Sequence, residues 1–267
     1  MKRTIHIIAA VISFAYYHAI SDVVSIFSYG PSNYVSSGER LLDENGVIVT
    51  TSTTARAYSE TQKLSPDYSG PVFFGGWEPS AALSPANGAC QIQNDTASGN
   101  DLDPIMFRFV NQSGAPQTSS ILLTSKLSEA VSFEHLDSFS FSAYQNSLAS
   151  YARAVIKIGD NYYISATSTV IPTDYPAVPV SIDITNWIAY DPLTSIADIS
   201  GTAVALNADD KVGWVGFHFV QGLAHGTSQR NLFVRDFDVT AIPESTTIQL
   251  FLISSVGFFL FRHTIRK

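Results

Sequence analysis

Apolar and polar residues alternate along much of the chain with a period of two, the spacing of half-buried β-strands. Residues 139–142 alternate strictly. In the run 152–158, alanine and isoleucine occupy one face, while Arg153 and Lys157 occupy the other. Further strand patterns cover residues 47–54, 105–110, 121–125, 162–165, 178–184, 212–220 and 232–239. The chain is therefore predicted to be β-structured from residue 22 to residue 241.

The residues between these runs are typical of turns. Gly159-Asp160-Asn161 joins two strand patterns and predicts a hairpin. Pro179 interrupts the run 178–184 and favours an edge strand, because proline cannot donate to a sheet ladder. A short helix is expected only near residues 185–188. Many strands without intervening helices predict an all-β, two-sheet antiparallel jelly-roll sandwich, which forms one domain over residues 22–241.

The first 21 residues have the layout of a secretory signal peptide. Lys2 and Arg3 form a positive start, residues 5–15 are mostly apolar, and Ala19 and Ser21 have the spacing of a cleavage site. The alternative interpretation is a signal anchor that is never cut. Either interpretation predicts export.

The last 26 residues, 242–267, predict a membrane segment. Residues 248–261 are apolar without a single charge, and Arg262, Arg266 and Lys267 follow them. Leaving such a run in water costs free energy in proportion to its apolar area. It is shorter than the roughly 20 residues of a full membrane span. Because basic flanks stay on the cytoplasmic side, the sandwich is expected outside the cell.

A four-residue motif, Pro243, Glu244, Ser245 and Thr246, precedes the apolar run 248–261. Together with the basic end, it resembles the PEP-CTERM sorting signal. The resemblance covers only these last residues. It implies recognition by exosortase, a membrane protease-like enzyme, and delivery to the cell envelope, cell surface or extracellular matrix. The C-terminal helix would then anchor the protein in the membrane transiently or stably. A plain single-pass tail anchor is the alternative.

The charge of the chain limits its partners. Only 14% of residues are charged, against about a quarter in ordinary soluble proteins, and the formal net charge is −8. Both ends carry a positive excess, so the region between them is still more acidic. An acidic domain repels phosphate backbones, which argues against nucleic acid as a partner. The same argument disfavours acidic polysaccharide unless a cation bridges it.

The chain offers few metal or thiol sites. Cys90 is the only cysteine, so an intramolecular disulfide is excluded, and no zinc spacing occurs. The polar stretch 94–103 contains Asp95, Asp101 and Asp103, oxygen ligands that suit a structural calcium ion. A polar loop without metal is the alternative, and no other cofactor is predicted.

Several aromatic residues are candidates for sugar binding, because an aromatic face suits the C–H face of a sugar. Trp77 lies in a glycine-rich context, and Tyr162, Tyr163, Trp187 and Tyr190 lie in or near strand patterns. Core packing is the alternative for each of them. Trp214 is predicted to be a core residue. Residues 154–165 resemble the sheet hairpin of concanavalin-like and laminin-G-like jelly rolls, and this resemblance implies carbohydrate binding.

A catalytic site is not predicted. Jelly-roll glycosidases need two carboxylates on one sheet face. Glu134 and Asp137 have the wrong spacing for one face, whereas Asp236 and Asp238 have the right one but end the last strand. A solvated outer face is the alternative for that pair. His218 alternates with phenylalanines and either faces a groove or is a structural histidine.

These observations predict a non-catalytic exported surface or extracellular-matrix protein that associates with polysaccharide and is sorted by an exosortase-like system. The alternative is a divergent polysaccharide-degrading enzyme on a jelly-roll scaffold, with its acids dispersed in the sequence. A structural coat or matrix component without a ligand is a third interpretation.

Overall fold

The computed structural model describes residues 23–29, 72–79, 88–94, 105–111, 119–145, 150–173, 176–192, 199–221 and 229–243. The strands are β1 (Val24–Tyr29), β2 (Val72–Pro79), β3 (Gly88–Asn94), β4 (Ile105–Asn111), β5 (Ser119–Ser132), β6 (Leu136–Gln145), β7 (Ser150–Ile158), β8 (Asn161–Ser165), β9 (Thr169–Val170), β10 (Val178–Ser181), β11 (Trp187–Tyr190), β12 (Ala203–Val204), β13 (Lys211–Gln221) and β14 (Gln229–Ala241). One 3-10 turn, Phe133–His135, separates β5 from β6.

The smaller sheet has the strand order β10-β6-β14-β4-β3, and every pair is antiparallel. The long strand β14 is its centre. One edge of β14 pairs with β6, and the other edge pairs with β4 in its first half and with β1 in its second half. The first and last described strands of the chain therefore lie side by side.

The larger sheet has the strand order β12-β11-β8-β7-β13-β5-β2, again antiparallel throughout. The short strand β9 pairs with the first residues of β7, next to β8. These two sheets confirm the predicted fold class, an all-β antiparallel sandwich of the jelly-roll type.

The main core lies between the two sheets and is rich in phenylalanine. Phe217 of β13 is fully buried, and its ring centroid lies 5.9 Å from that of Phe139, 5.6 Å from that of Phe141 and 5.1 Å from that of Phe237. Edge and tilted contacts of this kind suit the ring quadrupole. The aromatic core explains how a chain without a disulfide holds two sheets together.

A second apolar cluster lies on the outer face of the larger sheet. Its members are Leu122, Val155, Tyr162, Ile164, Ile188 and Tyr190, all buried. The central strands of this sheet are therefore buried on both faces. In β5, Ile121, Leu122 and Leu123 are consecutive and at most 1% exposed. A continuous apolar run is the sequence pattern of such a strand.

Several predictions from the sequence are confirmed. The hairpin joins β7 to β8, and Gly159 adopts a positive φ of 57° in its turn. In β7, the alanine and isoleucine residues face the core, and Arg153 and Lys157 face outward. Pro179 lies in β10, an edge strand of the smaller sheet. The strand predicted at 47–54 lies outside the described residues.

The short helix expected near residues 185–188 is wrong. Asp183 forms a turn, in which its Oδ1 accepts hydrogen bonds from the Thr185 backbone N–H (2.9 Å) and hydroxyl (2.6 Å). The hydrogen bond from the Thr185 hydroxyl, and to a smaller extent the one from the Thr185 backbone N–H, lowers the pKa of the Asp183 carboxyl below its usual value. Strand β11 then begins at Trp187, which faces the core, while Ile188 faces the outer cluster.

The core position predicted for Trp214 is also wrong. Val212 and Val215 are both fully buried, so the two residues between them form a bulge. Against β7, Val212 pairs with Ile158 and Trp214 pairs with Lys157, which leaves Gly213 as the extra residue. A bulge of this kind re-aims the next side chain. Trp214 consequently lies on the outer face of the larger sheet.

Within the described residues, no helix has the length and apolar character needed to cross a membrane. The predicted signal peptide, 1–21, and the predicted apolar run, 248–261, lie outside those residues.

Candidate functional site

Five residues form one row across the outer face of the larger sheet. Lys126 of β5 pairs with Trp214 of β13, Trp214 with Lys157 of β7, Lys157 with Tyr162 of β8, and Tyr162 with Tyr190 of β11. Directly opposite residues of an antiparallel pair project to the same face and their side chains meet. We call these five residues the aromatic row.

Lys157 lies between two rings of the aromatic row. Its Nζ is 5.1 Å from the ring centroid of Tyr162 and 5.7 Å from that of Trp214. Both distances are in the range of cation–π attraction, which holds the ammonium group beside the rings. Trp214 and Lys157 are half-buried, and Lys126 is exposed. Tyr162 and Tyr190 are 8% and 9% exposed. The accessible part of the row is thus its Lys126–Trp214–Lys157 end.

The next row of paired residues on the same face of the larger sheet is largely apolar. Gly216 lies two residues from Trp214 on the same face of β13, opposite Thr124 on one side and Val155 on the other. In this second row, Val155 pairs with Ile164 of β8, and Ile164 pairs with Ile188 of β11. Because Gly216 has no side chain, nothing rises from that position beside the indole of Trp214.

Arg153 and His218 belong to the next row of this face, where they pair directly. Arg153 Nη1 donates to the carbonyls of Ser165 (2.6 Å) and Ala166, so this side chain ties β7 to the end of β8. Burial lowers the pKa of the Arg153 guanidinium. His218 is fully buried, with its ring centroid 5.9 Å from that of Tyr190. Both positions fit structural roles.

Two of the five aromatic residues predicted to bind sugar, Tyr162 and Tyr190, come together, and Tyr163 and Trp187 lie on the opposite face of the sheet. Tyr162 lies in the aromatic row, whereas Tyr163 faces the main core. Trp187 is 2% exposed between the sheets, with edge contacts to Phe133 and Phe139, a position that fits the core interpretation. The backbone of Trp77 lies opposite Ile121 where β2 pairs with β5.

Sequence reasoning missed Trp214 and both lysines as site residues. The outward orientation of Lys157 was predictable from its alternation with alanine and isoleucine. The signal for Trp214 was Gly213, because a glycine inside a strand pattern often marks a bulge. Lys126 could be placed opposite Trp214 only with the strand order and register, which no local pattern contains.

The predicted carboxylate pair lies on the other sheet. Among the described non-glycine residues, Asp236 has a positive φ, 55°. It lies at a register shift between β14 and β6. Its Oδ2 lies 3.4 Å from Arg235 Nε, an ion pair by distance whose N–H is not aligned as a hydrogen bond. Asp238 Oδ1 accepts a hydrogen bond from Ser25 Oγ at 2.5 Å. Both carboxylates thus have partners within their own sheet.

The outer face of the smaller sheet is polar but bonded internally. Ser138 and Thr240 share a hydrogen bond of 2.7 Å between their hydroxyls, and Thr240 donates to Asp137 at 3.0 Å. The rings of Tyr144 and Phe233 stack on each other with centroids 4.4 Å apart and planes at 7°. Their stacked faces cover each other, so the aromatic row is the better candidate for binding a ring.

The predicted calcium ligands Asp95, Asp101 and Asp103 lie outside the described residues. Among those that are described, no group of three or more histidine, cysteine, aspartate or glutamate side chains could hold a metal ion. Glu134 lies exposed in the 3-10 turn. Cys90 lies in β3, opposite Phe109 of β4.

No family model and no curated protein matches the chain. Among solved structures, it is similar to the family 11 carbohydrate-binding module of the cellulase Lic26A-Cel5E of Clostridium thermocellum, with 11% identity, a TM-score of 0.35, and coverage of 79% of this chain and 97% of that one. It is also similar to the module TmCBM61, solved with β-1,4-galactotriose, with 11% identity, a TM-score of 0.33, and coverage of 61% of this chain and 86% of that one. For an exo-β-agarase, the identity is 9% and the TM-score 0.33, and the match covers 72% of this chain and 26% of that one.

Proposed function

We propose that the protein is a non-catalytic exported protein of the cell surface or extracellular matrix that associates with polysaccharide through the aromatic row. The observation that carries this proposal is the half-buried ring of Trp214 on an outer sheet face, between two lysines. An indole face is apolar and matches the C–H face of a pyranose, while neighbouring polar groups fix its hydroxyls.

The positions of the acids in the described part of the chain support binding rather than hydrolysis. Glycosidic cleavage needs an acid and a second carboxylate on either side of the bond. Trp214 shares its outer face with residues of β5 (within 120–126), β7, β8, β11 and β13. None of these outward-facing residues is Asp or Glu. Asp236 and Asp238 lie on the opposite sheet and are engaged by Arg235 and Ser25.

Trp214→Ala is expected to lower polysaccharide affinity about thirtyfold, because a central aromatic contact is commonly worth about 2 kcal/mol. Binding is measured by affinity electrophoresis and calorimetry on ligands first selected from a glycan array. Tyr144→Ala is the matched control, since it removes a half-buried aromatic from the other sheet. Unchanged binding by Trp214→Ala would contradict the proposal. New reducing ends in the same incubations would favour the enzymatic alternative.

We further propose that residues 242–267 are an exosortase-type sorting signal. Strand β14 ends at Ala241, and Ile242 alone separates it from Pro243, so the motif follows the folded domain directly. This proximity supports the motif as a processing point beside the domain, close to the membrane surface.

Intact mass spectrometry of the mature protein tests the sorting signal. In a host with an exosortase-like enzyme, the chain is expected to lose the residues that follow the motif. In a strain without that enzyme, and for a Pro243→Ala, Glu244→Ala double variant, it is expected to keep them. Equal C-terminal masses in all three cases would leave the tail-anchor interpretation as the correct one.

A further inference from the structure

We propose that the polysaccharide recognised by the aromatic row is acidic, with uronic-acid carboxylates that contact Lys126 and Lys157. This inference rests on the proposed function and names its ligand class. The two lysines flank Trp214 from the neighbouring strands β5 and β7 at the same register position. Side chains in directly opposite positions have Cβ atoms about 5 Å apart. A sugar stacked on the indole therefore lies between two ammonium groups.

The position of Lys157 matches the edge of such a sugar. Its Nζ is 5.7 Å from the Trp214 ring centroid, held there by attraction to that ring and to Tyr162. An equatorial substituent of a stacked pyranose projects past the rim of the ring beneath it. A carboxylate at that place meets an ammonium group whose position is already set, which lowers the ordering cost of binding.

The charge of this face differs from that of the whole chain. The outward-facing strand residues of β5 (120–126), β7, β8, β11 and β13 include four cations, Lys126, Arg153, Lys157 and Lys211, and no acid. The one acid on these strands, Glu129, lies in the part of β5 where the register with β13 shifts. Arg153 donates to the carbonyls of Ser165 and Ala166, and Lys211 donates to Ser132 Oγ, whereas Lys126 and Lys157 are the cations that flank Trp214.

The net charge of −8 disfavours an acidic polymer at long range, as the sequence indicates. Screening limits that repulsion to about 8 Å at physiological ionic strength. At contact, the charges that count are therefore the two lysines beside Trp214 and the few acids near the row, Glu129, Asp160 and Asp191, rather than the charge of the whole chain. The same balance favours a sparsely charged glycan over nucleic acid, whose affinity depends on many phosphate contacts along a basic surface.

The test compares one acidic glycan with its own neutral form. Calorimetry is performed on the full chain in detergent with oligogalacturonate, with the same oligosaccharide after carboxyl reduction, and with a single-stranded oligonucleotide. Wild-type protein is expected to bind the acidic form on the order of tenfold more tightly, the size of one charge-assisted contact, and to lose this preference in high salt. Lys126→Gln, Lys157→Gln is expected to bind both forms equally.

Three variants separate the possible outcomes. Lys157→Arg keeps the charge and should keep the preference, and Lys211→Gln removes a positive charge outside the row and should also keep it. Equal wild-type binding of both glycans, with loss of both in Trp214→Ala, would overturn the inference and leave the proposed function intact. Trp214→Ala without effect on either glycan would overturn both. Preferential binding of the oligonucleotide would also overturn the inference.

Discussion

Phe217→Ala is expected to lower the free energy of unfolding by about 3–5 kcal/mol, the range for removing a large ring from a packed core. Phe217 has no exposed surface and lies where rings from both sheets converge, with Phe139, Phe141 and Phe237 within 6 Å between centroids. The three neighbouring rings are held on β6 and β14 of the smaller sheet, so they cannot easily move into the space that the ring leaves. The cost therefore includes a cavity as well as lost apolar burial.

Urea denaturation followed by tryptophan fluorescence measures this loss. Phe217→Leu keeps much of the apolar volume and is expected to cost clearly less than the alanine variant. An equal loss in both variants would show that the ring contacts, rather than the filled volume, stabilise the site. A loss below about 1 kcal/mol in Phe217→Ala would contradict the described core, because such values are typical of surface positions.

The main core was largely predictable from the sequence, because it depends on local alternation. In β6, the alternation of Phe139 and Phe141 with serine predicted which side chains face inward, and both phenylalanines are at most 1% exposed. In β7, the predicted core face and outer face are both correct. Alternation is informative here because one face of each strand meets the core and the other is more open.

The candidate site was less predictable, for two physical reasons. The central strands of the larger sheet are buried on both faces, so apolar character no longer shows which side chain faces the core. Trp214 was assigned to the core for this reason, and the bulge at Gly213 places it outside. The second reason is that, apart from the β7–β8 hairpin, the strands joined by the aromatic row are not neighbours in sequence, and only their pairing order brings them together.

Gly216→Ala is expected to destabilise the protein at or above the upper end of the roughly 1–3 kcal/mol usual for overpacking. A Cβ at this position would lie 2.2 Å from the carbonyl oxygen of Leu123 and 2.8 Å from Thr124 Cα. Both are backbone atoms of β5, the neighbour of β13 in the middle of the larger sheet. Relief would require the two strands to separate, which breaks ladder hydrogen bonds on both sides of the glycine. Soluble yield and the urea midpoint measure the effect.

Gly213→Ala is the matched control, because it adds the same methyl group three residues earlier in the same strand. No atom lies within 4 Å of the Cβ it would add, and Gly213 has no positive φ. Its stability is expected to stay the same or to rise by about 0.4–1 kcal/mol, since alanine restricts the unfolded chain more than glycine does. If both variants lost stability equally, the close approach of β13 to β5 would not be the cause. If only Gly216→Ala lost stability, the close approach of β13 to β5 would be the cause.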